Sequence, residues 1–435
     1  MDERTRHRAH ARYIVKADVS RCYPSIYTHS IPWAAHSKPI AKALTTSRNL
    51  YGNDLDRHVR NAQGKQTIGI PVGPDTSFAI AEMVLSAADQ LLLKSSRRAH
   101  GFRLYDDYEL YAASSNEANK LLLALEEALA EYELAINPHK VAIDTLPQPL
   151  EADWRSRIRS VPYRRGTPMA ERSDLTLLFD TSFRAAAANR HDSVLAYALG
   201  RFISQNYEER KRIRHPENWK HFQRLALQAA IAEPGVLAKV AHILHWEKAR
   251  GRPIEVLASE TVNAIALEAA TRGFASEVAW AIWTAISLGL KIAARPARAI
   301  SRMGDDVVAL LTLHARDLGI IGPGFDATLW QSWMTGAQLH AEHWLLAYEA
   351  YEHGWLTSAT GRDYIASDAL ASHMRGAGVR FYDDTASLPA PPATKVAPAV
   401  SKSRRDVAAS STRRLDTADV VPEEADEEEW APAGY

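Results

Sequence analysis

The spacing of apolar and polar residues changes twice along the chain. Up to about residue 165, short apolar runs alternate with turns and amphipathic segments. RYIVKADVS (12–20) reads as a strand that delivers Asp18. Apolar positions three and four apart predict a helix over 77–96. SNEANKLLLALEEALAEYEL (115–134) predicts a second helix, with Ser115 as its N-cap. GFRLYDDYELYAAS (101–114) holds two strand-like runs, Phe102–Tyr105 and Tyr108–Ala112, around Asp106 and Asp107. ELAINPHKVAID (133–144) reads strand, turn, strand about Asn137-Pro138. Antiparallel hairpins mixed with helices, rather than regular βαβ units, predict an α+β sheet layered with helices.

Strand signals stop near residue 175. From there to about 380, Ala, Leu and Trp recur at helical spacing between short turns. This predicts an all-α domain of antiparallel helix pairs with a solenoid as one form, although no strict repeat period is visible. From about 386 to 435 Pro, Ala, Ser and charge dominate, ending in the acidic EEADEEEW. That composition predicts disorder.

Composition narrows the class. A chain of 435 residues suits two or three domains. An apolar share of 46% with 11 Trp is enough for real cores. The single cysteine, Cys22, excludes an internal disulfide and a cysteine-based zinc site, and suits a reducing compartment. No signal peptide is visible and no apolar run reads as long enough to span a bilayer, so a cytoplasmic protein with no membrane partner is expected. The zero formal charge hides two basic clusters, Arg4, Arg6, Arg8, Arg12 and Lys16, then Arg155, Arg157, Arg159, Arg164 and Arg165. Each is either a solvated face or a footprint for a phosphate backbone.

An Asp-Asp pair between two strands that want burial needs a reason. Adjacent carboxylates repel, and burial adds to the cost unless a cation lies between them. A solvated turn is the simpler reading of the pair alone. Three other segments change that reading. KADVSRCYPSIYTHSIPWA (16–34) brings a strand to Asp18, with Tyr23 five residues on. TIGIPVGPDTSFAIAE (67–82) is a Gly-rich loop that feeds a helix. EYELAINPHKVAI (131–143) places Lys140 after the Asn-Pro turn.

In this order, at intervals of roughly 30–50 residues, the segments resemble the palm of reverse transcriptases. DVSRCY resembles motif A, GIPVGPDTS motif B, LYDD motif C and LAINPHK motif D. The resemblance covers about residues 12–145 and implies a palm domain over 1–165. It implies a nucleotidyltransferase, an RNA-directed DNA polymerase, that joins deoxynucleotides by two-metal catalysis. Two divalent ions about 3.5–4 Å apart activate the primer oxygen and stabilise the leaving pyrophosphate. Hard oxygen ligands suit Mg²⁺, with Mn²⁺ as the substitute.

By the same resemblance, Asp18, Asp106 and Asp107 hold the metals together with the Val19 carbonyl. Tyr23 matches the aromatic gate that leaves no room for a ribose 2′-hydroxyl. Gly73 would let its loop approach the templating base and the nucleotide closely. Lys140 matches a lysine that protonates or screens the leaving pyrophosphate. Expected partners are an RNA template, a DNA product and deoxynucleoside triphosphates.

Three departures stand out. Leu104 occupies a position that is usually aromatic, and Val72 one that is usually Gln. Only 17 residues precede Asp18, so the fingers are expected to be truncated, or completed by a second copy or a partner. The helical region 175–380 takes the thumb position in chain order. A palm followed by such helices resembles the abortive-infection and unknown-group reverse transcriptases of phage defence, which work with or without a template. The alternative is a disabled palm that acts as a nucleic-acid-binding or assembly scaffold.

Overall fold

The computed structural model describes residues 2–96, 100–164, 166–203 and 213–389. Arg165, and the segment expected to be disordered from 390 onward, lie outside the described residues. The chain divides into two compact units between Glu151 and Ala152.

The first unit is built on an antiparallel four-stranded sheet of β1 (Tyr13–Asp18), β2 (His100–Leu104), β3 (Asp107–Ala112) and β4 (Ala142–Thr145), in the order β2-β3-β1-β4. Its helices are α1 (Asp2–Arg8), α2 (Cys22–Ser25), α3 (Ser30–His36), α4 (Lys38–Ala43), α5 (Tyr51–Ala62), α6 (Asp75–Ser95) and α7 (Ser115–Ala130). One sheet face packs Val15, Ala17, Tyr108 and Leu110 against Ile80, Val84, Leu85, Ala88 and Leu92 of α6 and Leu121, Leu125 and Leu129 of α7. Strand alternation puts these residues on one side, and the 3.6-residue period lines up the helical ones.

Gly101 permits the close β2–β3 pairing, because a Cβ there would lie 2.3 Å from the Glu109 carbonyl oxygen.

On the other face lies Glu109, 8% exposed. Arg4 Nε and Arg8 Nη2 donate to its two oxygens at 3.1 Å each, and the Tyr111 hydroxyl donates to it as well. His7 stacks on Tyr111 at 5.2 Å between ring centroids. Lys16 pairs with Asp144 at 3.0 Å. Arg4, Arg8 and Lys16 of the N-terminal basic cluster thus pair with the protein's own carboxylates.

Three local expectations are revised. Ser114, not Ser115, caps α7: its Oγ accepts from Glu117 N at 3.2 Å, and the Glu117 carboxylate accepts from Ala113 N at 2.9 Å. This reciprocal pair satisfies two N-terminal donors at once. The strand expected before Asn137 shrinks to an isolated bridge between Val19 and Ile136. Finally, α6 is long and apolar enough to cross a membrane by length and composition, contrary to the expectation from sequence. It is a core helix, since its apolar face lies under the sheet and its buried Asp89 pairs with Arg103.

The second unit is helical. It runs through α8 (Asp153–Ser160), α9 (Pro168–Ala188), α10 (Val194–Gly200), α11 (Pro216–Ala232), α12 (Leu237–Ala249), α13 (Val256–Arg272), α14 (Ala275–Leu288), α15 (Ala294–Ile300) and α16 (Asp306–Asp317) to a final helix at Ala369–Gly376. The chain packs α9 on α11, α11 on α13 and α13 on α15, while α10 packs on α12, α12 on α14 and α14 on α16. Helical hairpins therefore stack in two layers, as in a solenoid. Trp154, Ile158 and Val161 belong to this unit's core.

Candidate active site

Two central strands end at the same place. Asp18 closes β1, and its register partner Asp107 opens β3. Asp106 occupies the turn between β2 and β3, and its carbonyl accepts from Val19 N at 3.0 Å. In extended backbone the N–H and C=O of one residue point to the same neighbour, so the Val19 carbonyl also faces this turn. Ligand oxygens of Asp18, Asp106 and Asp107 lie within 4.8 Å of one another. The sequence-predicted carboxylates thus converge.

Two of the three carboxylates are shifted by their surroundings. Asp107 is pushed up to about 6, first by burial and then by the charges of Asp106 and Asp18. Asp106 is also raised, chiefly by burial. Lys140 opposes both shifts. Its Nζ donates to Asp18 Oδ1 at 2.9 Å, and Asn137 Nδ2 donates to Asp18 Oδ2 at 3.3 Å. Asn137 ties the motif together: its backbone N–H donates to the Asp18 carbonyl at 2.7 Å, and its Oδ1 accepts from His139 N at 3.1 Å.

The Asp107 shift has a consequence for stability. Its folded value lies above the ordinary ~3.9 of an unfolded carboxylate, so the folded state holds the proton more tightly. The resulting stabilisation is complete at low pH and is lost as pH rises through about 6. In chelator, the thermal midpoint of the wild type should therefore fall more between about pH 4 and 7 than that of Asp107→Asn. Parallel curves for the two proteins would show that Asp107 does not carry this coupling.

Tyr23 lies on α2, half-buried. Burial raises its hydroxyl first, followed by Cys22, Asp106, Glu82 and Tyr105. The Tyr23 carbonyl accepts from Ile70 N at 3.0 Å, and the Ile26 carbonyl from Gly69 N at 2.9 Å. The Gly-rich loop is thereby pinned to the Tyr23 turn. Gly73 in that loop has φ +113°, a conformation closed to other residues, and nothing lies within 4 Å of a Cβ placed there. Val72 beside it is 45% exposed. Cys22 is buried and its thiol is pushed up to about 12, first by burial and then by Asp106, so it stays neutral.

Sequence reading missed the support beneath the carboxylates. Arg103 is fully buried. It donates to Asp89 at 3.0 and 3.1 Å, to Glu82 at 2.8 Å and to the Tyr105 carbonyl at 2.5 Å, while the Tyr108 hydroxyl donates to Asp89 at 2.7 Å. Tyr105 has φ +54°, which costs a non-glycine residue about 1–2 kcal/mol. The Arg103 bond to its carbonyl holds that turn and so presents Asp106. Phe78 meets Tyr105 edge-on, with centroids 5.8 Å apart. A signal did exist: Arg103 interrupts an apolar run, and Glu82 and Asp89 are seven apart, two turns along one face of α6.

The second basic cluster has partners in its own unit. Arg155 lies over Trp154 and Tyr197 at 5.3 and 5.7 Å. Arg157 pairs with Asp153 at 2.7 Å, and Arg164 with the buried Asp174 at 2.6 Å.

Residues 2–161 match the family described as reverse transcriptase (RNA-dependent DNA polymerase). The match supports a reverse transcriptase domain in this part of the chain. With it come a nucleotidyltransferase activity class and the binding of nucleic acid and nucleotides. The matched segment runs past the sheet unit into α8. No curated protein matches the chain.

Proposed function

We propose that the first unit transfers deoxynucleotides to a 3′-hydroxyl by two-metal catalysis. One observation carries this reading: Asp18, Asp106 and Asp107 converge within 4.8 Å in a domain that matches reverse transcriptases. The donor set is all oxygen, and two of its carboxylates are held above their ordinary range. Both features fit a pair of Mg²⁺ ions, which Mn²⁺ can replace. Asp18, Asp106, Asp107 and the Val19 carbonyl would hold them. Such ions lower the pKa of the attacking hydroxyl and neutralise charge on the leaving pyrophosphate.

The chain's own residues do the rest. The Tyr23 ring closes the space next to the sugar, so a ribose 2′-hydroxyl does not fit. Gly73 leaves the loop face open for the templating base and nucleotide. Lys140 brings a positive charge, and a proton, to the leaving pyrophosphate. The triad is tested with full-length protein, Mg²⁺ and deoxynucleotides, with an RNA template and without one. Incorporation that disappears in Asp106→Asn supports the reading, and the two arms separate template-directed from template-independent synthesis. Nucleic-acid binding with no incorporation by the wild type would mean a scaffold.

Tyr23→Ala is expected to raise ribonucleotide use relative to deoxynucleotide by about tenfold, ~1.4 kcal/mol of discrimination. An unchanged ratio would return Tyr23 to a packing role.

The biological setting we propose is defence against phage. What supports it is the resemblance of a palm followed by stacked helical hairpins to the defence-associated reverse transcriptases. Plating of phages on cells that express the wild type should drop relative to cells that express Asp106→Asn. Equal plating across a phage panel would overturn the defence role.

A further inference from the structure

The ion pair between Lys140 and Asp18 joins two groups that the proposed reaction uses separately. Asp18 is needed by cations, whereas the Lys140 ammonium is needed by the leaving phosphates. Yet Lys140 Nζ lies 2.9 Å from Asp18 Oδ1. We propose that Lys140 and a divalent cation compete for Asp18, so that cation loading releases the Lys140 side chain. This inference rests on the triad being a metal centre, and it adds the order in which the site is assembled.

The geometry distinguishes the part that stays from the part that moves. Asn137 is uncharged and anchored twice to Asp18, through its backbone N–H at 2.7 Å and its side-chain amide at 3.3 Å. Lys140 N donates to the Asn137 carbonyl at 3.0 Å, so its backbone belongs to the same fixed turn. The Lys140 side chain has no such restraint. It is 61% exposed, while the Asp18 side chain it reaches is 10% exposed. A four-carbon stem rooted on a rigid turn can swing without disturbing the strand that carries Asp18.

Charge supplies the driving force. A divalent cation bound to Asp18, whose side chain is 10% exposed, places two positive charges beside the ammonium. The neutral Asn137 amide suffers no such repulsion. Before loading, the ammonium offsets part of the mutual repulsion of Asp18, Asp106 and Asp107, all of which act on it. After loading, the cations take over that task and Lys140 keeps its charge for the pyrophosphate. Binding at the two ends is linked, so the coupling must show in both directions.

Two measurements on the full-length protein test this. The first is Mn²⁺ binding, read from the electron paramagnetic resonance of the free ion. Lys140→Met should bind Mn²⁺ about threefold tighter than the wild type, the size expected from removing an exposed ion pair. The second is acetylation of Lys140 by an amine-reactive ester, read by peptide mass spectrometry with the exposed Lys120 as internal reference. Mn²⁺ should raise Lys140 modification severalfold in the wild type. Equal or weaker Mn²⁺ binding by Lys140→Met, or Lys140 labelling that Mn²⁺ leaves unchanged or lowers, would overturn the exchange. The labelling arm needs no variant and so survives a folding defect. Failure of the metal reading itself looks different: the wild type and Asp18→Asn would then bind Mn²⁺ equally.

Discussion

Asp106→Asn is expected to reduce nucleotide incorporation at least about a thousandfold, ~4 kcal/mol of transition-state stabilisation. The loss should come without loss of the fold. Asp106 sits in a turn, its carboxyl is raised by burial, and Asp18 adds to that shift. Neutralising it removes one of three mutually repelling groups, so the thermal midpoint in chelator should hold or rise. Asp18→Asn should lose as much activity but differ in stability, because Asp18 carries the bonds to Lys140 and Asn137. Circular dichroism melts and a primer-extension assay distinguish the two substitutions. Incorporation at the wild-type rate in Asp106→Asn would remove this residue from the metal site.

Arg103→Met is expected to be the most destabilising single change in the first unit, by about 3–5 kcal/mol. The reason is what it leaves behind. Asp89 is fully buried, and burial pushes its carboxyl up while Arg103 pulls it down. Without the guanidinium, burial wins and Asp89 must take a proton or pull in water. Pairing the change with Asp89→Asn should recover about half of the loss, since the isosteric amide carries no charge and can still accept from Tyr108. Hydrogen exchange of β3 and α6 amides in the full chain reads this directly. Unchanged protection in Arg103→Met would show that the buried network contributes little. Arg103→Lys keeps the charge but loses the fork that reaches Tyr105, Glu82 and Asp89 together. Its expected defect is in activity more than in stability.

Much of the site could be read from the chain because its parts are local. A strand ending in Asp18, a hairpin holding Asp106 and Asp107, and a turn ahead of Lys140 each lie within a few residues of their own structural signals. Their order suggested convergence, and the antiparallel register of Asp18 with Asp107 supplies it. The α6 and α7 helices were likewise visible, because a buried face repeats every three or four residues whatever it packs against.

Other features depended on partners far along the chain. Arg103 drew no reading from the sequence, because its partners Glu82 and Asp89 on α6 lie 21 and 14 residues away. Arg4 and Arg8 read as part of a basic cluster, a solvated face or a phosphate footprint, and the pairing of both with Glu109, about a hundred residues on, was not visible. The helix pairs were expected, but no repeat period showed, because the stacking arises between alternate helices of unequal length, such as the 17-residue α13 and the 7-residue α15. Sequence by itself determined the elements and the carboxylates they carry, because hydrophobic period and turn chemistry act between near neighbours. Only the tertiary structure decided which charges are buried and paired, because the cost of burying a charge is set by whatever the fold brings against it.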